Sequence, residues 1–169
     1  LLLVAGHETT VNLIGNGVLA LLRNPDQLQL LHDDPSLIKT AVEEVLRYDP
    51  PVQFTSRRAV EDIPLSEGVL PSGTEAILLI GGANRDPQQF ADPERLDITR
   101  EDNRHIAFGM GIHFCVGAPL ARLEGQIALN AFAQRFVSPR LATERPAYKE
   151  LIVLRGLAEL PVAFDDVRA

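Results

Sequence analysis

The residue types best suited to chemistry lie in one run, Phe108-Gly109-Met110-Gly111-Ile112-His113-Phe114-Cys115-Val116-Gly117, which holds the single cysteine of the chain. Its glycines let backbone come close to a flat or bulky group. Cys115 stands just ahead of a predicted helix. There the free amide groups and dipole of the helix N-terminus favour a thiolate. A thiolate so placed serves as a nucleophile or as a metal ligand. The plainer alternative is a buried free cysteine in a glycine-rich turn. A cysteine hydrolase pairing Cys115 with His113 is the weaker use. The two are only two residues apart around a glycine loop, and no orienting partner is evident. Elsewhere, Glu44 and Arg47 share a helix face at a spacing of three. Alone, such a pair reads as a solvated surface ion pair. Ala5-Gly6-His7-Glu8-Thr9-Thr10 sets a glycine and two threonines inside an apolar helix, which weakens it locally. A zinc-protease reading of His7-Glu8 fails, because Val11 stands where the second histidine of His-Glu-x-x-His is needed.

The elements that must position these residues follow from periodicity and turn chemistry. One long helix runs from Leu1 to about Arg23, with little of its circumference purely polar, so other elements must enclose it. Asn24-Pro25-Asp26 stops it and opens a second helix through about Leu31. Asp34-Pro35 repeats the signal for a third, with apolar residues from Leu37 to Leu46, ended by Asp49-Pro50-Pro51. Short extended runs follow at Val52–Val60, Gly68–Leu70 and Glu75–Ile80. From Gly81 to Asn103 the chain is mostly loop. A helix from about Pro119 to Phe136 leaves the Cys115 loop, with Leu120, Leu123, Ile127, Ala131 and Phe136 as its apolar stripe. Two short strands, Leu151–Leu154 and Leu160–Phe164, close the chain.

Composition narrows the function. The 169 residues carry 16 Lys and Arg against 23 Asp and Glu, a net charge of −7. This length suits one domain, and 46% hydrophobic residues suit a packed core rather than a disordered chain. The acidic balance argues against nucleic acid as a partner. One cysteine excludes a disulfide framework and any multi-cysteine metal site. Polar residues from His7 to Asn16 interrupt the opening apolar run, which reads as neither a secretory signal nor a membrane span. A chain opening Leu1-Leu2-Leu3 reads as one that begins inside a helix, a fragment of something longer.

The run Phe-Gly-x-Gly-x-His-x-Cys-x-Gly resembles the haem loop of the cytochrome P-450 family, and all six specified positions match. This family holds its haem iron through a cysteine thiolate. Glu44-Val45-Leu46-Arg47, about 70 residues earlier, resembles the Glu-x-x-Arg pair of the family's K helix. Ala5-Gly6-His7-Glu8-Thr9-Thr10 resembles the oxygen-binding segment of its I helix. The matches stand in family order and span the chain, which corresponds to the part from the I helix onward. The implied fold is mainly α with small β-sheets (α+β), with residues 1–169 a single haem-binding region of a larger domain.

The resemblance implies the following roles. Cys115 is the axial ligand of the iron of haem b. Phe108 packs near its sulfur, Gly109 and Gly117 shape the loop, and His113 and Arg57 contact the propionates. Glu8 relays protons and Thr9 hydrogen-bonds bound oxygen. Glu44, Arg47 and Arg95, the last from Pro93-Glu94-Arg95, form a structural network. Leu1, Val4, Ala5, Val52, Gln53, Phe54, Val153 and Leu154 line a pocket for an apolar small molecule. The expected activity is monooxygenation, with electrons from an NAD(P)H-dependent redox chain through a ferredoxin-type donor that docks on Arg104 and Arg122. The setting is cytoplasmic, with no membrane partner and with the missing N-terminal part as a further partner. The alternative is a truncated, non-catalytic haem-binding or interaction module.

Overall fold

The computed structural model describes residues 2–168. Leu1 lies outside them, as does the side chain of Val4, so two predicted pocket residues have no place in the geometry below. The first helix, α1, spans Leu2–Arg23. Asn24 closes it rather than capping the next one: its side-chain amide donates to the Ala20 carbonyl at 2.8 Å. Helix α2 (Pro25–Asp33) opens on its proline, whose missing N–H is no loss in a first turn. The Asp34 carboxylate accepts from Ser36 N–H at 3.0 Å and seeds a single 3-10 turn. That turn leads into α3 (Ile38–Tyr48).

Helices α1, α2, α3 and α5 (Ala118–Arg135) enclose the core. Leu13, Leu21, Leu31, Val42, Val45, Leu96, Ile98 and Leu129 are buried there. Two glycines permit the close helix approach. A side chain at Gly17 would meet Leu129 at 2.9 Å, and one at Gly125 would meet Leu13 at 3.3 Å. This corrects the expected stripe on α5. Leu120, Leu123 and Ile127 are exposed, and the buried face carries Ala118, Gly125, Leu129, Phe132 and Ala133. Helix α5 has apolar residues around much of its surface, so periodicity did not single out a face. The small residues decide it, because only that side lets α1 and α3 come close.

The β structure is a set of two-stranded antiparallel pairs. Strand β1 (Phe54–Arg58) pairs with β4 (Glu75–Leu79), Phe54 opposite Leu79 and Arg57 opposite Ala76. Between them, β2 (Ile63–Leu65), unforeseen in the sequence, pairs with β3 (Gly68–Leu70). A short helix α4 (Ile80–Ala83) follows, so the predicted strand ends one residue early, at Leu79. After α5, β5 (Phe136–Val137) pairs with β8 (Asp166–Val167), and β6 (Arg140–Leu141) with β7 (Val162–Ala163). The Leu160–Phe164 strand is thus shortened, since Pro161 has no N–H to give a ladder. The Leu151–Leu154 strand does not form. Leu151 N–H turns back to the Lys149 carbonyl at 2.9 Å, and only Leu154 bridges, to Val52.

Candidate functional site

The Cys115 loop is built on backbone hydrogen bonds. Gly109 N–H donates to Ile106 O at 2.9 Å, Cys115 N–H to Phe108 O at 2.9 Å, and Ala118 N–H to Cys115 O at 3.2 Å. Gly109, which closes the first of these turns, is itself left-handed at φ +74°, a conformation that glycine adopts without a Cβ penalty. Gly111 repeats the conformation at φ +61° as the first residue of a short 3-10 turn, Gly111–His113. Cys115 therefore stands three residues before α5, and its thiol is exposed. A side chain at Gly117 would come within 3.7 Å of Sγ. His113 is exposed as well. So are the apolar side chains of Met110, Ile112, Phe114 and Val116, with Ile112 98% exposed. Phe108 is half-buried beneath them, its ring edge-on to Phe114 at 6.4 Å.

These residues fit a haem. An exposed thiol is surrounded by exposed apolar side chains on a loop whose glycines keep backbone low. Among the described residues no group of three or more His, Cys, Asp or Glu converges on a metal position. Arg57 on β1 is exposed, and its guanidinium donates to Thr55 Oγ1 at 3.1 Å and Ser56 O at 2.7 Å. Among the described residues it makes no ion pair, which leaves its charge for an anionic group such as a propionate.

On α1, the Thr9 hydroxyl donates to the Ala5 carbonyl at 2.8 Å, a side-chain bond inside the helix ladder. The helix itself runs unbroken through this segment. Ala5 is exposed and Glu8 is half-buried. Lys149 Nζ donates to Glu8 Oε1 at 2.7 Å and to Asn12 Oδ1 at 3.2 Å. That hydrogen bond holds the Glu8 carboxyl below the usual carboxylate range. Nothing in the sequence marked Lys149, which lies 141 residues away along the chain. Among the described residues no hydrogen bond joins Glu8, Thr9 or Arg57 to the Cys115 loop.

The predicted pocket wall assembles in part. Val52 bridges Leu154, and Gln53 N–H donates to Val153 O at 2.9 Å. An open cavity of about 270 Å³ lies beside Gln53 and Phe54. Its lining is less apolar than the sequence reading had it, because Tyr148, Lys149 and Arg155 join Leu151 and Ile152 there.

The Glu44–Arg47 pair is not a surface ion pair: both side chains are 0% exposed. Arg47 Nε and Nη2 grip the two carboxylate oxygens at 2.7 and 2.8 Å. Its remaining hydrogens go to the carbonyls of Asn84, Pro93 and Arg95 at 3.0, 2.8 and 3.0 Å. All five guanidinium donors are thereby used. Glu44 also accepts from Asp97 N–H at 2.9 Å, Asn103 Nδ2 at 3.0 Å and Arg100 Nε at 3.2 Å. The second cation is thus Arg100. The exposed Arg95 offers only its carbonyl, which corrects the assignment of its side chain to the network. Asn84 carries the network onward, because its Oδ1 accepts from Ile106 N–H at 2.8 Å, where the Cys115 loop begins.

A further cluster was unforeseen. Arg122 is bidentate on Glu43, Nε to Oε1 at 2.7 Å and Nη2 to Oε2 at 2.9 Å. His105 Nε2 lies 3.0 Å from Glu43 Oε2. His105 Nδ1 accepts from Ala107 N–H at 3.2 Å, which leaves Nε2 as the ring's donor. Burial pushes the Glu43 carboxyl up, but the hydrogen bonds from His105 and Arg122 outweigh it and hold it at about 2. Arg122 also lies over the Phe108 ring, 4.6 Å from its centroid. Of the two predicted docking cations, Arg122 is therefore engaged internally. Arg104 is 90% exposed, beside Asp102.

Comparison with known proteins agrees with this geometry. The family model described as cytochrome P-450 matches residues 33–156. The biotin biosynthesis cytochrome P-450 of Bacillus subtilis (strain 168) is 52% identical over 98% of this chain and 42% of its own length. The vitamin D(3) 25-hydroxylase of Pseudonocardia autotrophica is 52% identical over 96% of this chain and 41% of its own. Among solved structures, P-450BioI in complex with hexadec-9Z-enoic acid ligated acyl carrier protein superposes with a TM-score of 0.93 at 52% identity. It covers 96% of this chain, which covers 42% of it. The chain thus spans about two fifths of the length of the relatives it matches. Together with the ordered motifs and the Cys115 loop, these matches make the chain a member of the cytochrome P-450 family.

Proposed function

We propose that the protein is a haem-thiolate monooxygenase of which residues 1–169 form a haem-binding region within a larger domain. It hydroxylates or epoxidises an apolar small molecule. The observation that carries the reading is Cys115: an exposed thiol ahead of α5, amid exposed apolar side chains. Haem, when bound, supplies the activation of dioxygen and the transfer of one oxygen atom to substrate, the other leaving as water. Cys115 would hold the iron through Sγ. Arg57 and His113 would meet the propionates, and Phe108, Gly109 and Gly117 would keep the loop close. Electrons would come from an NAD(P)H-dependent chain through a ferredoxin-type donor, with Arg104 the exposed cation near the loop. Bacterial relatives and the absence, among the described residues, of a helix long and apolar enough to cross a membrane support a cytoplasmic setting.

The chain's own residues would manage protons and substrate. Thr9 Oγ1 gives its hydrogen to Ala5 O, so its lone pairs are left to accept. Glu8 would relay protons inward, and its hydrogen bond from Lys149, which favours the charged form, would have to open for the carboxylate to take one up. Val52, Phe54, Val153 and Leu154, with Ala5 from α1, would form the apolar side of the substrate pocket. The hexadec-9Z-enoic acid and vitamin D(3) in the relatives' names, each with a long apolar body, support that substrate class. Thr9→Ala in the haem-loaded protein is expected to leave electron consumption in place while product per electron falls. Measuring NAD(P)H used against product formed decides it, and unchanged coupling would remove Thr9 from its role.

A further inference from the structure

Glu43 and Arg122 are oppositely charged, half-buried and bidentate, and Arg122 sits against the ring that lies beneath the Cys115 loop. They come from different helices, α3 and α5, so the pair is a tertiary contact and not a helix-surface accident. Phe108 links them to the thiol. Its ring carries the guanidinium at 4.6 Å, and its carbonyl accepts the Cys115 N–H at 2.9 Å. The hydrogen bond to Glu43 raises the Arg122 pKa, so the guanidinium keeps its charge over the ring. In a medium less polarisable than water, a charge held against the ring beneath the loop acts on a change of charge at the site.

We propose that the Glu43–Arg122 pair is a positioning and tuning device for Cys115, setting the reduction potential of the iron that the thiolate would hold. The proposal rests on the haem reading above. One-electron reduction of ferric to ferrous iron by the ferredoxin-type donor adds one negative charge to the site. Arg122 favours that charge and Glu43 opposes it. The pair as built leaves a near-neutral balance, and Phe108 fixes its distance. His105, whose Nε2 donates to the same carboxylate, holds Glu43 in place from the chain segment that enters the loop.

The test is the midpoint potential of the haem-loaded protein and its variants, read by spectroelectrochemistry. The carbon monoxide spectrum of the reduced form is recorded on each. Glu43→Gln is expected to raise the potential, with a several-fold higher ratio of reduced to oxidised protein at a fixed applied potential. Arg122→Gln is expected to lower it, and Arg122→Lys, which keeps the charge, to return it toward the parent. The double variant Glu43→Gln with Arg122→Gln is expected to lie between the single variants. If Glu43→Gln and Arg122→Gln leave the potential unchanged, or move it in the same direction, while the thiolate-type spectrum persists, the proposal is overturned. Glu43→Gln is near-isosteric and decides the matter alone where Arg122→Gln does not fold. A parent without the thiolate-type spectrum would overturn the haem reading itself, a failure distinct from unchanged potentials.

Discussion

The Glu44–Arg47 network and the Cys115 loop touch through Asn84, yet their construction is opposite. In the network both charges are fully buried and every guanidinium hydrogen has an acceptor. In the loop the thiol and four large apolar side chains stand in the open, on backbone that only glycine adopts easily at two positions. Burying a charge without partners is costly, so the first region tolerates no looseness. Exposed apolar surface on that scale marks a binding face. The difference teaches a division of labour. The network fixes the carbonyls of Asn84, Pro93 and Arg95, and Asn84 passes that rigidity to Ile106. The loop, held there, can present a thiol without help from burial.

That contrast orders the expected effects of change. Arg47→Ala removes the bidentate partner of a buried carboxylate and the donor to three carbonyls, leaving Arg100 as its cation, and should cost about 3–5 kcal/mol, enough to deplete folded protein. Denaturant unfolding of parent and variant measures it, and a loss under about 1 kcal/mol would return the pair to the surface class. Glu43 comes next. Its carboxyl lies near 2 when folded, against about 4.3 in an unfolded chain. A depressed carboxylate stabilises the fold above the unfolded value, and that stability is lost as pH falls through about 2. Glu43→Gln should therefore flatten acid unfolding between these limits, removing on the order of 2 kcal/mol at neutral pH. An unchanged acid limb would show that the ion pair contributes nothing. Smaller still is the contrast within the network. Arg100→Ala should cost about 1–2 kcal/mol by removing a charged donor to Glu44. Arg95→Ala should fall within about 0.5 kcal/mol. Equal effects would contradict the placement of Arg100 beside the carboxylate.

Much of the fold was legible because its signals are local. Asp34 and Asp49 with their prolines end or begin helices as their chemistry requires, and the strands β1, β3 and β4 lie where extended runs were expected. The Cys115 loop was legible for the same reason, since its glycines, histidine and cysteine are contiguous. What failed was decided at a distance. The buried face of α5 depends on which neighbours come close, and that is set by Gly17 and Gly125 on two helices. Arg95 and Arg100 lie in one short stretch, and spacing alone does not say which one turns inward. The partners of Glu8 and Glu43, Lys149 and Arg122, arrive from 141 and 79 residues away. No periodicity carries that information.

The most direct test of the account is the absorption spectrum of the protein loaded with haem, reduced and exposed to carbon monoxide, beside the same spectrum for Cys115→Ser. The parent should show the strongly red-shifted Soret band of thiolate ligation. The variant should lose that band while its unfolding free energy stays within about 0.5 kcal/mol of the parent, as an exposed position allows. A parent band like that of free or histidine-ligated haem, or a red-shifted band that survives in the variant, would contradict the assignment of Cys115 as the iron ligand.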